Sequence, residues 1–118
     1  MKEIIIADDD PAIRDILRLI FERAGYKIKI FSSGEALMHE EFESPALFIL
    51  DMQLSGVDGL EVCRFLKSRE STKKIPVIML SASPYIAGLS AEAGADAFIE
   101  KPFKTQTLLE TIRKYIHN

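Results

Sequence analysis

Short apolar runs recur along this chain, each bounded by polar residues or proline and each separated from the next by an amphipathic stretch. Ile4-Ile5-Ile6-Ala7, Ala46-Leu47-Phe48-Ile49-Leu50 and Pro76-Val77-Ile78-Met79-Leu80 are unbroken. Unbroken runs of this length read as strands buried on both faces, as in a parallel sheet covered by helices. Residues 26–31 differ: Tyr26, Ile28 and Ile30 alternate with Lys27 and Lys29, which suits an edge strand whose lysines discourage further pairing. Ala97-Phe98-Ile99 is a fifth, shorter run that leads to Lys101-Pro102.

The intervening stretches carry helical spacing. Ile13, Ile16, Leu17, Ile20 and Ala24 form one stripe, with Asp10 as cap, Pro11 at the first position and Gly25 at the end. Ser32-x-x-Glu35 has the form of a capping box for a short second helix. A third helix spans Leu60 to Lys67 with Val62, Cys63 and Leu66 inward, while Leu60 and Phe65 lie off that stripe and are expected to be partly exposed. Leu108, Leu109, Ile112, Tyr115 and Ile116 line the last helix. Pro84 to Ala93, interrupted by Gly88, gives the weakest pattern. Five alternations of strand and helix without a linker or repeat predict an α/β fold, a parallel sheet with helices on both faces.

Composition narrows the function classes. A chain of 118 residues with 47% apolar and 28% charged residues is one globular domain's worth. No apolar run approaches the ~18–20 residues of a membrane span, and the N-terminal apolar stretch is too short for a signal peptide. The reading is a cytoplasmic domain with no membrane contact. A net charge of −3 argues against direct nucleic-acid binding through a basic face. A single cysteine, Cys63, excludes an intramolecular disulfide and a cysteine-based zinc site, and it reads as a core residue. His39 and His117 stand in polar contexts and are not expected to carry phosphate.

The chemistry collects at the carboxyl ends of the predicted strands, where open α/β sheets bind ligands. The first run ends in Asp8-Asp9-Asp10, the third in Asp51 and the fourth in Ser81, and the fifth leads into Lys101. Clustered carboxylates repel one another unless a cation is present. Hard oxygen donors without histidine or cysteine suit Mg²⁺. One carboxylate could then attack phosphorus to give an aspartyl phosphate, with Ser81 and Lys101 holding the phosphoryl oxygens. Taken singly, each residue has a plainer role: helix cap for Asp10, turn for Asp51, loop hydroxyl for Ser81, surface charge for Lys101.

Taken together, these segments resemble the response-regulator receiver domains of two-component signalling, over essentially the whole chain. The carriers are Ile4 to Pro11, Leu50-Asp51-Met52-Gln53-Leu54 with Asp58-Gly59, Pro76 to Ala82, Gly94-Ala95-Asp96 and Lys101-Pro102-Phe103. The resemblance implies a five-stranded, flavodoxin-like, doubly wound sheet in the order 2-1-3-4-5. It implies Asp51 as phosphoacceptor, with Mg²⁺ bound by Asp8 (through water), Asp9, Asp51 and the Gln53 backbone carbonyl. Ser81 and Phe98 are implied as switch residues, Lys101 as the phosphoryl-binding lysine with a cis bond to Pro102, and Gln53 and Ser83 as flanking the path of the hydrolytic water. Neither flanking residue is acidic, so an aspartyl phosphate lasting minutes rather than seconds is expected.

The implied partners are a sensor histidine kinase or histidine phosphotransfer protein and a downstream protein, and a homodimer stays open. Residues 1–118 would form a single receiver with no output domain, not an enzyme but a phosphoacceptor assisting its own phosphorylation and dephosphorylation.

The chain departs from the family pattern at several points. Ser55 and Val57 replace a common Pro and Met, and Lys104 stands where an acidic cap is frequent, leaving Thr105 to cap. The segment from Ser81 to Gly94 is short, so the fourth helix should be short and the usual output surface altered. Two rivals remain: a receiver-like interaction module that is not phosphorylated, and a phosphatase of the haloacid-dehalogenase type with Asp8 as nucleophile. Against the phosphatase, Pro11-Ala12 replaces the residues usual after that motif. No Gly-rich loop supports a nucleotide-binding sheet.

Overall fold

The computed structural model describes residues 2–116, so His117 lies outside the described residues. Ten elements alternate: β1 (Glu3–Ala7), α1 (Pro11–Arg23), β2 (Lys27–Phe31), α2 (Gly34–Met38), β3 (Leu47–Asp51), α3 (Gly59–Ser68), β4 (Val77–Ser81), α4 (Ile86–Glu92), β5 (Ala97–Glu100) and α5 (Thr105–Tyr115). All strand pairs are parallel and the order is β2-β1-β3-β4-β5. β2 is an edge, as its alternating lysines predict.

Two apolar layers hold the sheet. On one face Ile4, Ile6, Ile49, Ile78 and Leu80 pack with Leu17 and Phe21 of α1 and Leu108 and Ile112 of α5. On the other, Ile5, Ala7, Phe48, Leu50 and Met79 pack with Leu37 of α2 and Leu60, Val62, Cys63 and Leu66 of α3. Successive strand residues alternate between the layers, which is why runs that are covered on both sides carry no polar positions.

Local chemistry explains most helix ends. The Asp10 side chain accepts from the Ala12 N–H, Pro11 opens α1, and Gly25 follows its end at φ +93°. Asp58 caps α3 by accepting from the Glu61 N–H.

Four details differ from the sequence reading. The α1 stripe is rotated: Phe21 is fully buried, while Ile16 is 46% exposed and Ala24 is exposed. Phe21 is drawn inward by an edge-to-face contact with Tyr26 at 6.2 Å. α2 is capped by Ser33, whose hydroxyl accepts from the Ala36 N–H, rather than by Ser32, because Ser33 is pinned by a bridge to Ser55. Leu60 is buried against the second layer, as α3 starts at Gly59 and its first turn faces the sheet. Finally, Thr105 does not cap α5. Lys104 holds that position without a side-chain bond, and Thr105 is already the first helical residue. The predicted weakness of the fourth helix holds: α4 has 7 residues and no side-chain cap.

Candidate functional site

Strand order reverses between β1 and β3, and a crevice opens beyond the carboxyl ends of strands at such a point. Register decides what faces it. Ala7 lies beside Leu50 and Asp51 beside Leu80, so Asp8, Asp51 and Ser81 leave the sheet on neighbouring strands at nearly the same level. The main chain ties these ends together: Asp8 N–H donates to Phe31 O at 3.2 Å, Met52 N–H to Leu80 O at 2.9 Å, and Lys101 N–H to Ser81 O at 2.9 Å. The result is a cleft of about 370 Å³ lined by Asp9, Asp10, Asp51, Gln53, Ser81, Ser83 and Lys101, among others.

Carboxylate oxygens of Asp8, Asp9 and Asp51 lie within 4.8 Å of one another. Lys101 reaches across from the end of β5, its Nζ donating to Asp51 Oδ1 at 2.8 Å and Asp8 Oδ2 at 3.2 Å. Asp8 is fully buried, and its Oδ1 accepts from the Asp10 N–H at 2.9 Å. Asp9 is exposed toward the cleft. Asp10, at the cleft edge, caps α1 as its sequence position predicts, its Oδ1 accepting from the Ala12 N–H at 2.9 Å.

Burial raises the Asp51 pKa above the usual carboxylate range; the hydrogen bond from Lys101 opposes this, and the charges of Asp8 and Asp9 add to it. For Lys101, burial is the largest influence and lowers the pKa, but the bonds and charges of Asp51 and Asp8 together outweigh it and leave the ammonium above its ordinary value. One cation therefore compensates three carboxylates incompletely. A divalent cation fits the remainder: hard oxygen donors, close together, open to water on the Asp9 side.

The other predicted residues are placed as follows. Ser81 is buried, its Oγ accepting from the Ser83 N–H at 3.1 Å. Gln53 is exposed and Ser83 half-buried, and both line the cleft. Phe98 is half-buried against the second apolar layer, beside Met79 in the sheet. The Lys101–Pro102 peptide bond is cis. Cys63 is buried, with its thiol 3.5 Å from the Ala93 carbonyl, and His39 is exposed at the C-cap of α2.

Sequence reasoning missed Arg14, and it quoted Gly59 only within the family pattern, without its role. Gly59 packs directly on the phosphoacceptor candidate's own backbone, since a Cβ there would stand 2.2 Å from the Asp51 carbonyl oxygen. Arg14 donates from Nη1 to the Asp8 carbonyl at 2.9 Å. The available signal was a cation in the first turn of a helix, a placement the helix dipole disfavours.

Comparison with known proteins agrees with this geometry. The family model for the response regulator receiver domain matches residues 4–113. The chain belongs to the response-regulator receiver family.

This receiver is 36% identical to the transcriptional regulatory protein GltR of Pseudomonas aeruginosa over 95% of its own length and 48% of that protein's. It is 38% identical to the regulator RpaA of Synechocystis, over 96% of this chain and 48% of the relative. The chain thus spans about half the length of the curated relatives it matches. Among solved structures, the response regulator TrrA of Thermotoga maritima in complex with Mg²⁺-BeF superposes with a TM-score of 0.88 at 32% identity, covering 98% of this chain and 100% of that one. The chemotaxis regulator CheY4 of Vibrio cholerae gives 0.90 at 25% identity, covering 98% and 99%. No helix among the described residues is long and apolar enough to cross a membrane.

Proposed function

We propose that this receiver accepts a phosphoryl group on Asp51 from the phosphohistidine of a sensor histidine kinase or a histidine phosphotransfer protein, with Mg²⁺ at the site, and so changes the affinity of a surface for a downstream protein. One observation carries the reading: Asp51 sits in the cleft with Lys101 Nζ at 2.8 Å and two further carboxylates close by. An Asp51 oxygen attacks phosphorus in line with the donor nitrogen; the P–N bond breaks, and the imidazole leaves with the electron pair. Asp8, Asp9, Asp51 and the Gln53 carbonyl are the residues to hold Mg²⁺, which supplies charge neutralisation between the incoming phosphoryl oxygens and the carboxylates. Lys101, already placed between Asp8 and Asp51, keeps its proton and transfers its ion pair to a phosphoryl oxygen. The Ser81 hydroxyl, which now accepts from Ser83, has its own proton to donate to the same group.

The geometry disfavours Asp8 as a nucleophile. It is fully buried and each of its carboxylate oxygens is already bonded, one to Asp10 and one to Lys101.

The test is intact mass after incubation with Mg²⁺ and a small phosphodonor such as acetyl phosphate. The parent and Asp10→Asn should gain one phosphoryl group, and Asp51→Asn should gain none. Phosphoryl gain that persists in Asp51→Asn would overturn the assignment.

A further inference from the structure

Arg14 stands in the first turn of α1, where a positive charge opposes the helix dipole, and the acid at that end, Asp10, is engaged by the Ala12 N–H. Its guanidinium does not extend into solvent. Nη1 donates to the main-chain carbonyl of Asp8 at 2.9 Å in a partly buried contact. That carbonyl lies in the same peptide plane as the Asp9 N–H, so restraining it restrains Asp8 ψ and Asp9 φ. Those torsions set the direction in which Asp9 leaves the chain.

The rest of Asp8 is engaged as well. Its N–H donates to Phe31 O at 3.2 Å, Oδ1 accepts from Asp10 N–H at 2.9 Å and Oδ2 from Lys101 Nζ at 3.2 Å. Asp8 is therefore held from β2, from its own loop, from the end of β5 and, through Arg14, from α1. Asp9 has the opposite situation. It is exposed, and its carboxylate has no hydrogen-bond donor among the described residues. Repulsion from Asp8 and Asp51 would swing it outward, so its approach to them relies on the backbone that carries it.

We infer that Arg14 is a positioning residue for the metal site: by holding the Asp8–Asp9 peptide it keeps the Asp9 carboxylate turned toward Asp51, in the arrangement Mg²⁺ requires. The inference rests on reading Asp8, Asp9 and Asp51 as that site. Groups that orient a metal's ligands without touching the metal set affinity strongly, and losing one costs on the order of tenfold. Lysine at this position keeps a charged donor but loses the planar fork that fixes its direction.

The test titrates Mg²⁺ calorimetrically into the full chain, without phosphodonor, for the parent, Arg14→Lys, Arg14→Met and Asp9→Asn. Arg14→Met should weaken Mg²⁺ binding on the order of tenfold, with Arg14→Lys recovering much of the loss. Should Arg14→Met fail to fold, Arg14→Gln serves in its place. Parent-like affinity in Arg14→Met, or Arg14→Lys as weak as Arg14→Met, overturns the role of Arg14 and leaves the metal site standing. Binding absent from the parent, or undiminished in Asp9→Asn, overturns the metal site itself and this inference with it.

Discussion

At the scale of single residues, three carboxylates and one ammonium share a cleft in which burial raises the Asp51 pKa. Every arm of Lys101's ion pair comes from a distant point in sequence, Asp8 or Asp51, so the site exists only in the folded chain. The same cleft bears on how long a phosphoryl group would persist. Hydrolysis needs a water in line with phosphorus, on the side away from the Asp51 oxygen. Gln53 at the exposed rim and half-buried Ser83 both line the cleft, and neither can act as a base. Gln53→Ala and Ser83→Tyr should each change the dephosphorylation rate several-fold, the tyrosine by closing the approach, while phosphorylation at Asp51 continues. Time courses of intact mass after removal of the phosphodonor check this. Loss of phosphate at the parent rate in both variants would place control of water elsewhere.

At the scale of elements, the short connection from β3 to α3 shapes the cleft floor. Gly59 N–H donates to Met52 O at 2.9 Å, and a Cβ at Gly59 would stand 2.2 Å from Asp51 O and 2.9 Å from Met52 Cα. Those atoms are backbone and have little room to yield. Gly59→Ala should therefore destabilise the fold by about 2 kcal/mol, as overpacking does. Gly88, inside α4, has nothing within 4 Å of its Cβ position, so Gly88→Ala should stabilise by about 0.5–1 kcal/mol. Urea unfolding of the two variants gives the comparison, and equal effects would contradict it. The helix ends show how far local chemistry reaches. Asp10 and Asp58 cap as their side chains allow, but two adjacent serines compete for the start of α2, and the tertiary bridge from Ser33 to Ser55 selects the second. α1 illustrates the same limit: periodicity predicts an apolar stripe, but whether Ile16 or Phe21 lies at its centre depends on the neighbour it meets.

At the scale of the whole molecule, the sheet and its two layers fold into a body of 31 × 30 × 25 Å, and long-range polar contacts tie its end opposite the cleft. Lys67 Nζ of α3 donates to Ile75 O at 2.9 Å and Asp96 Oδ2 at 2.8 Å, and the same Asp96 oxygen accepts from Val77 N–H. Cys63, one turn from Lys67, reports on the integrity of this unit. It is fully buried, and burial above all pushes its thiol up to about 11. The native thiol should resist iodoacetamide at pH 8, with alkylation rising only as denaturant unfolds the chain. Because the folded-state pKa is raised, the unfolded chain releases this proton first. The contribution of Cys63 is whole below pH 9 and is lost as pH rises toward about 11. The stability difference between the parent and Cys63→Ala should narrow across that window, as denaturant midpoints at each pH would measure.

The sequence by itself determined the element types, the edge character of β2, the main helix caps and the candidates Asp8, Asp9, Asp51, Ser81 and Lys101. Each depends on burial periodicity or on chemistry between near neighbours, which the order of residues records directly. Tertiary structure alone decided that Ser33 rather than Ser32 caps α2, that Phe21 displaces Ile16 from the core, and that Gly59 and Arg14 touch the backbone of Asp51 and Asp8. Parallel strands meet only through crossovers, so residues far apart in sequence become neighbours once strand order and register are set. No local pattern encodes the distance between them.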